Sequence, residues 1–122
     1  MPWDVTVELE NRPGTIADMG EAAAAAGVNL SGLCGFPCEG VGVLHVLVDD
    51  PEGAASAFES AGLTVRGQRE VLVVGVENEP GALGSLARRF ADAGVNVDLV
   101  YVAADHRLVL GVDDLDAGRA LV

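Results

Sequence analysis

From Trp3 to Glu10 the chain alternates. Trp3, Val5, Val7 and Leu9 are apolar, and Asp4, Thr6, Glu8 and Glu10 are polar. This is the two-residue period of a half-buried strand. The stretch ENRPG (Glu10 to Gly14) breaks that period. Beyond it Ile16, Met19, Gly20, Ala23 and Ala24 recur at i, i+3, i+4, i+7, i+8, which predicts an amphipathic helix. Gly27 is placed to stop it as a left-handed C-cap, with Val28 supplying the accompanying hydrophobic contact. A second strand is predicted over VNLSGLC (Val28 to Cys34), then a loop, then a third strand over GVGVLHVLV (Gly40 to Val48). Asp50 and Pro51 suit the N-cap and first position of a second helix with the apolar stripe Ala54, Ala57, Phe58 and Ala61. LTVR (Leu63 to Arg66) closes the unit as a short strand.

The same pattern then starts again. A shift of 67 positions brings ENEPG (Glu77 to Gly81) onto ENRPG and GVNV (Gly94 to Val97) onto GVNL (Gly27 to Leu30). It also places Leu72, Val74 and Val76 on Val5, Val7 and Leu9, and Leu83, Leu86, Ala87, Phe90 and Ala91 on the first helical stripe. The chain is a tandem duplication. In the second copy VNVDLVYV (Val95 to Val102) and RLVLGV (Arg107 to Val112) are the predicted second and third strands, with a shorter loop between them. Asp113 and Asp114 precede a second helix in LDAGRALV, inside which the sequence stops. The order βαββαβ predicts an α+β fold of two ferredoxin-like units in tandem, each with helices on one face of an antiparallel sheet. Residues 1–67 form the first unit and 68–122 the second, which lacks its last strand. The open edge this leaves is expected to be covered by the other copy or by another chain.

Charge narrows the partners. The formal net charge is −12, which opposes the counterion release that drives binding to nucleic acid or an anionic membrane. The strands carry valines and acids where an RNA-recognition sheet carries aromatics and basic residues. No basic start followed by an apolar run, and no stretch of about 20 apolar residues, is present, so a cytoplasmic protein is expected. Apolar residues at outward strand positions (Val41, Val43, Leu47, Val71 and Val73) point to a homo-oligomer. Cys34, Cys38, His45 and His106 match no structural zinc spacing, so no metal or cofactor is expected, and the thiols are read as free and buried. Neither G-x-S-x-G nor a phosphate loop occurs, and no His lies near a nucleophile in sequence, so the protein is read as not an enzyme.

The repeated turn has two readings. In one, Pro13 and Pro80 occupy the first helical position and Asn11 and Asn78 cap the free amides, which contributes about 1 kcal/mol. In the other, the helix N-terminus offers unpaired N–H groups and a positive dipole end to a carboxylate, with Gly14 and Gly81 admitting the ligand to the backbone. An adjacent Asn amide can read an ammonium or a side chain, so a zwitterion fits this mixture. Asn29 and Asn96 either end the C-cap region or turn their amides toward an interface.

An apolar strand, N-x-P-G, a helix with apolar residues at its stripe and then G-V-N-V/L together resemble the ACT domain, a small amino-acid-sensing module, and both copies match. The resemblance implies units paired side by side, with ligands, commonly amino acids, where the turn of one faces the second strand of the other. Implied contacts are Asn11, Arg12, Pro13, Gly14, Thr15 and Ile16 with Asn96 and Val97. Their counterparts are Asn78, Glu79, Pro80, Gly81, Ala82 and Leu83 with Asn29 and Leu30. The two turns differ chemically, Arg12 becoming Glu79 and Thr15 becoming Ala82, so one site is as compatible with the sequence as two. The implied function is a non-catalytic regulatory protein that binds an amino acid. The rival is a dimerisation module, or a regulatory subunit of a separate metabolic enzyme, with no ligand of its own.

Overall fold

A computed structural model describes residues 1–122. The chain divides into two compact units, Met1–Arg69 and Glu70–Val122. In the first, β1 (Trp3–Glu10), α1 (Thr15–Ala25), β2 (Gly32–Cys38), β3 (Val41–Val48), α2 (Pro51–Ser60) and β4 (Thr64–Glu70) follow in order. Its strands lie in the order β4-β1-β3-β2. The second contains β5 (Leu72–Gly75), α3 (Ala82–Asp92), β6 (Val97–Ala103), β7 (Arg107–Val112) and α4 (Leu115–Arg119), with strands in the order β6-β7-β5. These are ferredoxin-like units, the first βαββαβ and the second βαββα. Where β1 lies between β3 and β4, its counterpart β5 pairs in its own unit with β7.

Register puts the alternation to use. Antiparallel pairing of Trp3 with Val48 through Glu10 with Val41 stacks Val5 and Val7 beside Val46 and Leu44, on the face covered by Met19, Ala23, Ala54 and Phe58. In the second unit Leu72, Leu108, Leu110 and Val112 meet Leu86, Phe90 and Val95. All three long helices end in the same device. Gly27, Gly62 and Gly94 have positive φ, and the N–H of the apolar residue after each donates back into the helix: Val28 to Ala23 O, Leu63 to Phe58 O and Val95 to Phe90 O. This is the six-to-one bond of a Schellman cap. Asp50 and Asp114 cap α2 and α4 by accepting from Gly53 N and Ala117 N at 3.0 Å.

Several expectations need correction. The second strand begins at Gly32, not Val28, because Val28 is consumed by the cap of α1, and it runs to Cys38 through what was read as a loop. The cause is a two-residue turn, Glu39–Gly40, with φ of 51° and 86°, which lets β2 pair β3 as far as Cys38 with Val41. Two positive φ values in a two-residue hairpin define a type I′ turn, which Asn-Gly fits better than Glu-Gly. Glu39→Asn is therefore expected to raise stability by about 0.5–1 kcal/mol in urea titration, and no gain would show that the turn is not strained. For the same reason as β2, β4 starts after Leu63; it then continues to Glu70, well beyond Arg66. In β6 the expected start also moves, from Val95 to Val97.

The helical stripes are narrower than predicted. Met19 and Ala23 are buried in α1 and Leu86 and Phe90 in α3, whereas Ile16 and Leu83, a turn nearer the N-terminus, are exposed. Of the five outward strand residues, Val43, Leu47 and Val71 are buried in the single chain, while Val41 and Val73 are half-buried. The thiols are not both buried either: Cys34 is half-buried and Cys38 exposed, next to the tight turn. No helix is long and apolar enough to cross a membrane.

Candidate functional site

Each strand-to-helix corner is built by its own backbone. The N–H of Arg12 donates to Glu10 O at 3.0 Å, and that of Glu79 to Glu77 O at 2.9 Å, turning the chain sharply out of the strand. The helices then start on Gly14 and Gly81, whose φ values of 94° and 90° are left-handed. A Cβ at either glycine would meet nothing within 4 Å, so the requirement for glycine is conformational and not one of space. This corrects the capping reading. The glycines, not the asparagines, are the N-caps, Pro13 and Pro80 precede them, and no side chain caps either helix. The first intrahelical bonds are Asp18 N–H to Gly14 O and Ser85 N–H to Gly81 O, both 2.9 Å. The amides of Ile16 and Ala17, and of Leu83 and Gly84, therefore point out of the helix ends with no intrahelical acceptor.

The two corners carry different charges. In the first, Arg12 Nε donates to Glu10 Oε2 at 2.6 Å and holds across the turn. That hydrogen bond, reinforced by the carboxylate's charge, raises the Arg12 pKa above the usual arginine value. The Thr15 hydroxyl donates to Glu10 O at 2.7 Å and to Arg12 O at 3.1 Å, locking the turn from inside. A cleft of about 350 Å³ opens beside Glu10, Arg12, Thr15 and Asp18, closed on one side by the segment from Ala61 to Thr64. In the second corner Ala82 cannot make the threonine bonds, and its own N–H reaches Glu79 O at 3.3 Å. Here a cleft of about 420 Å³ lies beside Glu77, Glu79, Ser85 and Arg89. Asp18 occupies the first turn of α1, while α3 has no acid in its first turn but has Glu77 and Glu79 beside its start.

A further cleft in the second unit, of about 280 Å³, runs along α3 and is lined by Leu83, Leu86, Ala87, Phe90, Val97, Val100 and Leu110. Its far wall depends on an irregularity in β6. Val97 pairs with Val112 and Leu99 with Gly111, so Asp98 is an extra, bulged residue. The bulge puts Val97 and Val100 on one face, although a regular strand would turn residues three apart to opposite faces.

The remaining residues named from the resemblance fall as follows. Asn11, Asn78, Asn29 and Asn96 are all exposed. Asn29 Nδ2 donates to Ser31 Oγ at 3.4 Å, and Asn96 exchanges two bonds with Asp113, its N–H to Asp113 Oδ1 at 3.0 Å and its O from Asp113 N–H at 3.1 Å. Leu30 packs against the first core. Within a unit, the 11-residue α1, about 16 Å of helix, lies between the Asn11–Gly14 corner and Asn29. Leu83 and Val97, by contrast, share the apolar cleft. Leu86, Phe90 and Val100, which line it with them, were not read as site residues. The apolar triplet spacing of Val97 and Val100 was the available signal.

One polar cluster was also missed. Asp4, read as an outward polar residue, is 0% exposed, and its Oδ2 accepts from His45 Nδ1 at 2.9 Å, with Thr6 Oγ1 at 3.3 Å from both. Phe36 stacks on the imidazole with ring centroids 6.3 Å apart. No three metal-ligating side chains gather anywhere in the chain.

Residues 71–120 match the family model of the ACT domain. No curated protein matches the sequence. Among solved structures, a Bacteroides thetaiotaomicron protein superposes with a TM-score of 0.84 at 25% identity, over 98% of this chain and 84% of that one. The ligand-free regulatory subunit of aspartate kinase from Thermus thermophilus gives 0.75 at 16% identity, over 98% and 87%. That from Thermus flavus gives 0.73 at 17%, over 98% and 90%.

Proposed function

We propose, from the match of residues 71–120 to the ACT domain model, a non-catalytic regulatory protein that binds an amino acid. The observation that carries the reading is the uncapped helix start. Both repeated corners expend a glycine and a proline to begin a helix whose free amides no side chain satisfies, an arrangement that suits a carboxylate. The regulatory subunits of like fold support a role beside a separate metabolic enzyme, to which ligand binding would be coupled as a free energy between sites.

In the finer reading, the corner of one unit and the Asn29–Leu30 or Asn96–Val97 segment of the other share the ligand; its support is the family resemblance. Exposed Ile16, Leu33 and Phe36 support a homo-oligomer as well. Calorimetry of the full chain against the twenty amino acids tests the central claim, with an affinity expected between about 1 mM and 1 µM. Asn78→Ala or Asn11→Ala is expected to weaken binding with the melting temperature unchanged. Equal affinity in both variants removes these side chains from the site. Silence at millimolar concentration favours a purely structural module.

A further inference from the structure

We propose that α1 of one copy of this chain packs antiparallel on α3 of a second copy, with Glu21 of the one beside Arg88 of the other. The proposal rests on the homo-oligomer reading and gives it a surface.

The shift of 67 positions that superposes the repeats also superposes an uncovered helical face. On α1 this face is a stripe of small residues, Ala17, Gly20 and Ala24, flanked by Ile16 on one side and Glu21 on the other. On α3 it is Gly84, Ala87 and Ala91, flanked by Leu83 and Arg88. Ile16 is 58% and Leu83 54% exposed, and the small residues are exposed too, apart from the half-buried Gly20. Small side chains allow the axes of two helices to approach closely.

Charge selects the occupant. Glu21 and Arg88 hold the same helical position with opposite sign, both are exposed, and neither belongs to an ion pair within the chain. α1 carries Asp18 and Glu21 with no basic residue, whereas α3 carries Arg88 and Arg89 against Asp92 alone. Antiparallel packing of a helix on its own copy about the middle of the stripe sets the central residue against itself. α1 on α1 therefore opposes Glu21 to Glu21, and α3 on α3 opposes Arg88 to Arg88. α1 on α3 joins the unlike charges, and the same alignment lays Ala17 by Ala91 and Ala24 by Gly84. It also carries Ile16 toward the end of the apolar cleft walled by Phe90 and Val97. The bulge at Asp98 builds that wall in the second unit, while β2 pairs evenly with β3, so the socket belongs to one unit and the knob to the other. Two copies related by a two-fold axis make the contact twice.

The test is sedimentation velocity of the full chain from about 1 µM to 1 mM, in which self-association is expected. Arg88→Glu alone and Glu21→Arg alone are each expected to weaken it about tenfold or more, because each sets like charges together in both contacts. Mixed in equal amounts, the two variants are expected to regain the association of the unaltered chain, since every contact between them joins unlike charges. Ala24→Gln, a good helix former at an exposed position, is expected to keep the circular dichroism and to weaken association about tenfold by holding the helices apart. Association that survives all three substitutions, or a mixture as weak as its parts, overturns this surface and leaves the homo-oligomer reading standing. A chain that is monomeric throughout overturns both.

Discussion

Phe90→Ala is expected to cost the second unit about 3–5 kcal/mol, the range for emptying a buried aromatic site. Phe90 is 1% exposed and sits among Leu72, Leu86, Val95, Leu108, Leu110 and Val112. Its carbonyl also receives the Val95 N–H that ends α3, although that bond survives in the variant. The cavity has little chance to collapse. Gly118 of α4 already lies so close that a Cβ there would stand 2.8 Å from Leu72 Cδ1 and 3.5 Å from Phe90 Cε2. A unit as short as Glu70–Val122 buries a modest fraction of its surface, so several kcal/mol is a large part of what it has. Urea unfolding followed by circular dichroism should show the transition at much lower denaturant. A loss below about 1 kcal/mol, the ordinary cost of a substitution, would show that the ring is not central to this core.

The second large effect is expected at His45. His45→Leu removes the imidazole from a carboxylate with no access to water, and taking a hydrogen-bond partner from a buried carboxylate costs about 2–3 kcal/mol. The double variant Asp4→Leu with His45→Leu should recover most of the loss, because it withdraws the need along with the partner. Equal stability of the single and double variants would mean that Asp4 is satisfied without the imidazole. The cycle thus measures the coupling between β1 and β3 across their paired register.

The repeat, the element order and the helix stops were legible because each is set by short-range chemistry. An apolar period of two, a period near 3.6 and a glycine followed by valine need no knowledge of distant residues. Strand limits were less legible, since Val28 is apolar and β-branched yet belongs to a cap, and Glu-Gly is a weak signal for a type I′ turn. Asp4 was misread because alternation assigns a polar residue to solvent. Its burial depends on His45, which is 41 positions away. At the corners the residues were found, but their roles were exchanged. Pro13 looked like a first helical residue by composition, while the left-handed Gly14 takes the cap. The side chains of Asn11 and Asn78 consequently remain exposed to solvent, which the capping account would have denied them.

The bulge at Asp98 makes the cleft along α3 a matter of register as well as of composition. Were the strand to pair evenly through Asp98, Val97 and Val100, three positions apart, would fall on opposite faces, and the cleft would lose one wall with every lining side chain still present in the sequence. The cleft in such a unit can therefore be switched by pairing. Two relatives with identical apolar residues, one bulged at this position and one evenly paired, would differ in whether they have a pocket at all.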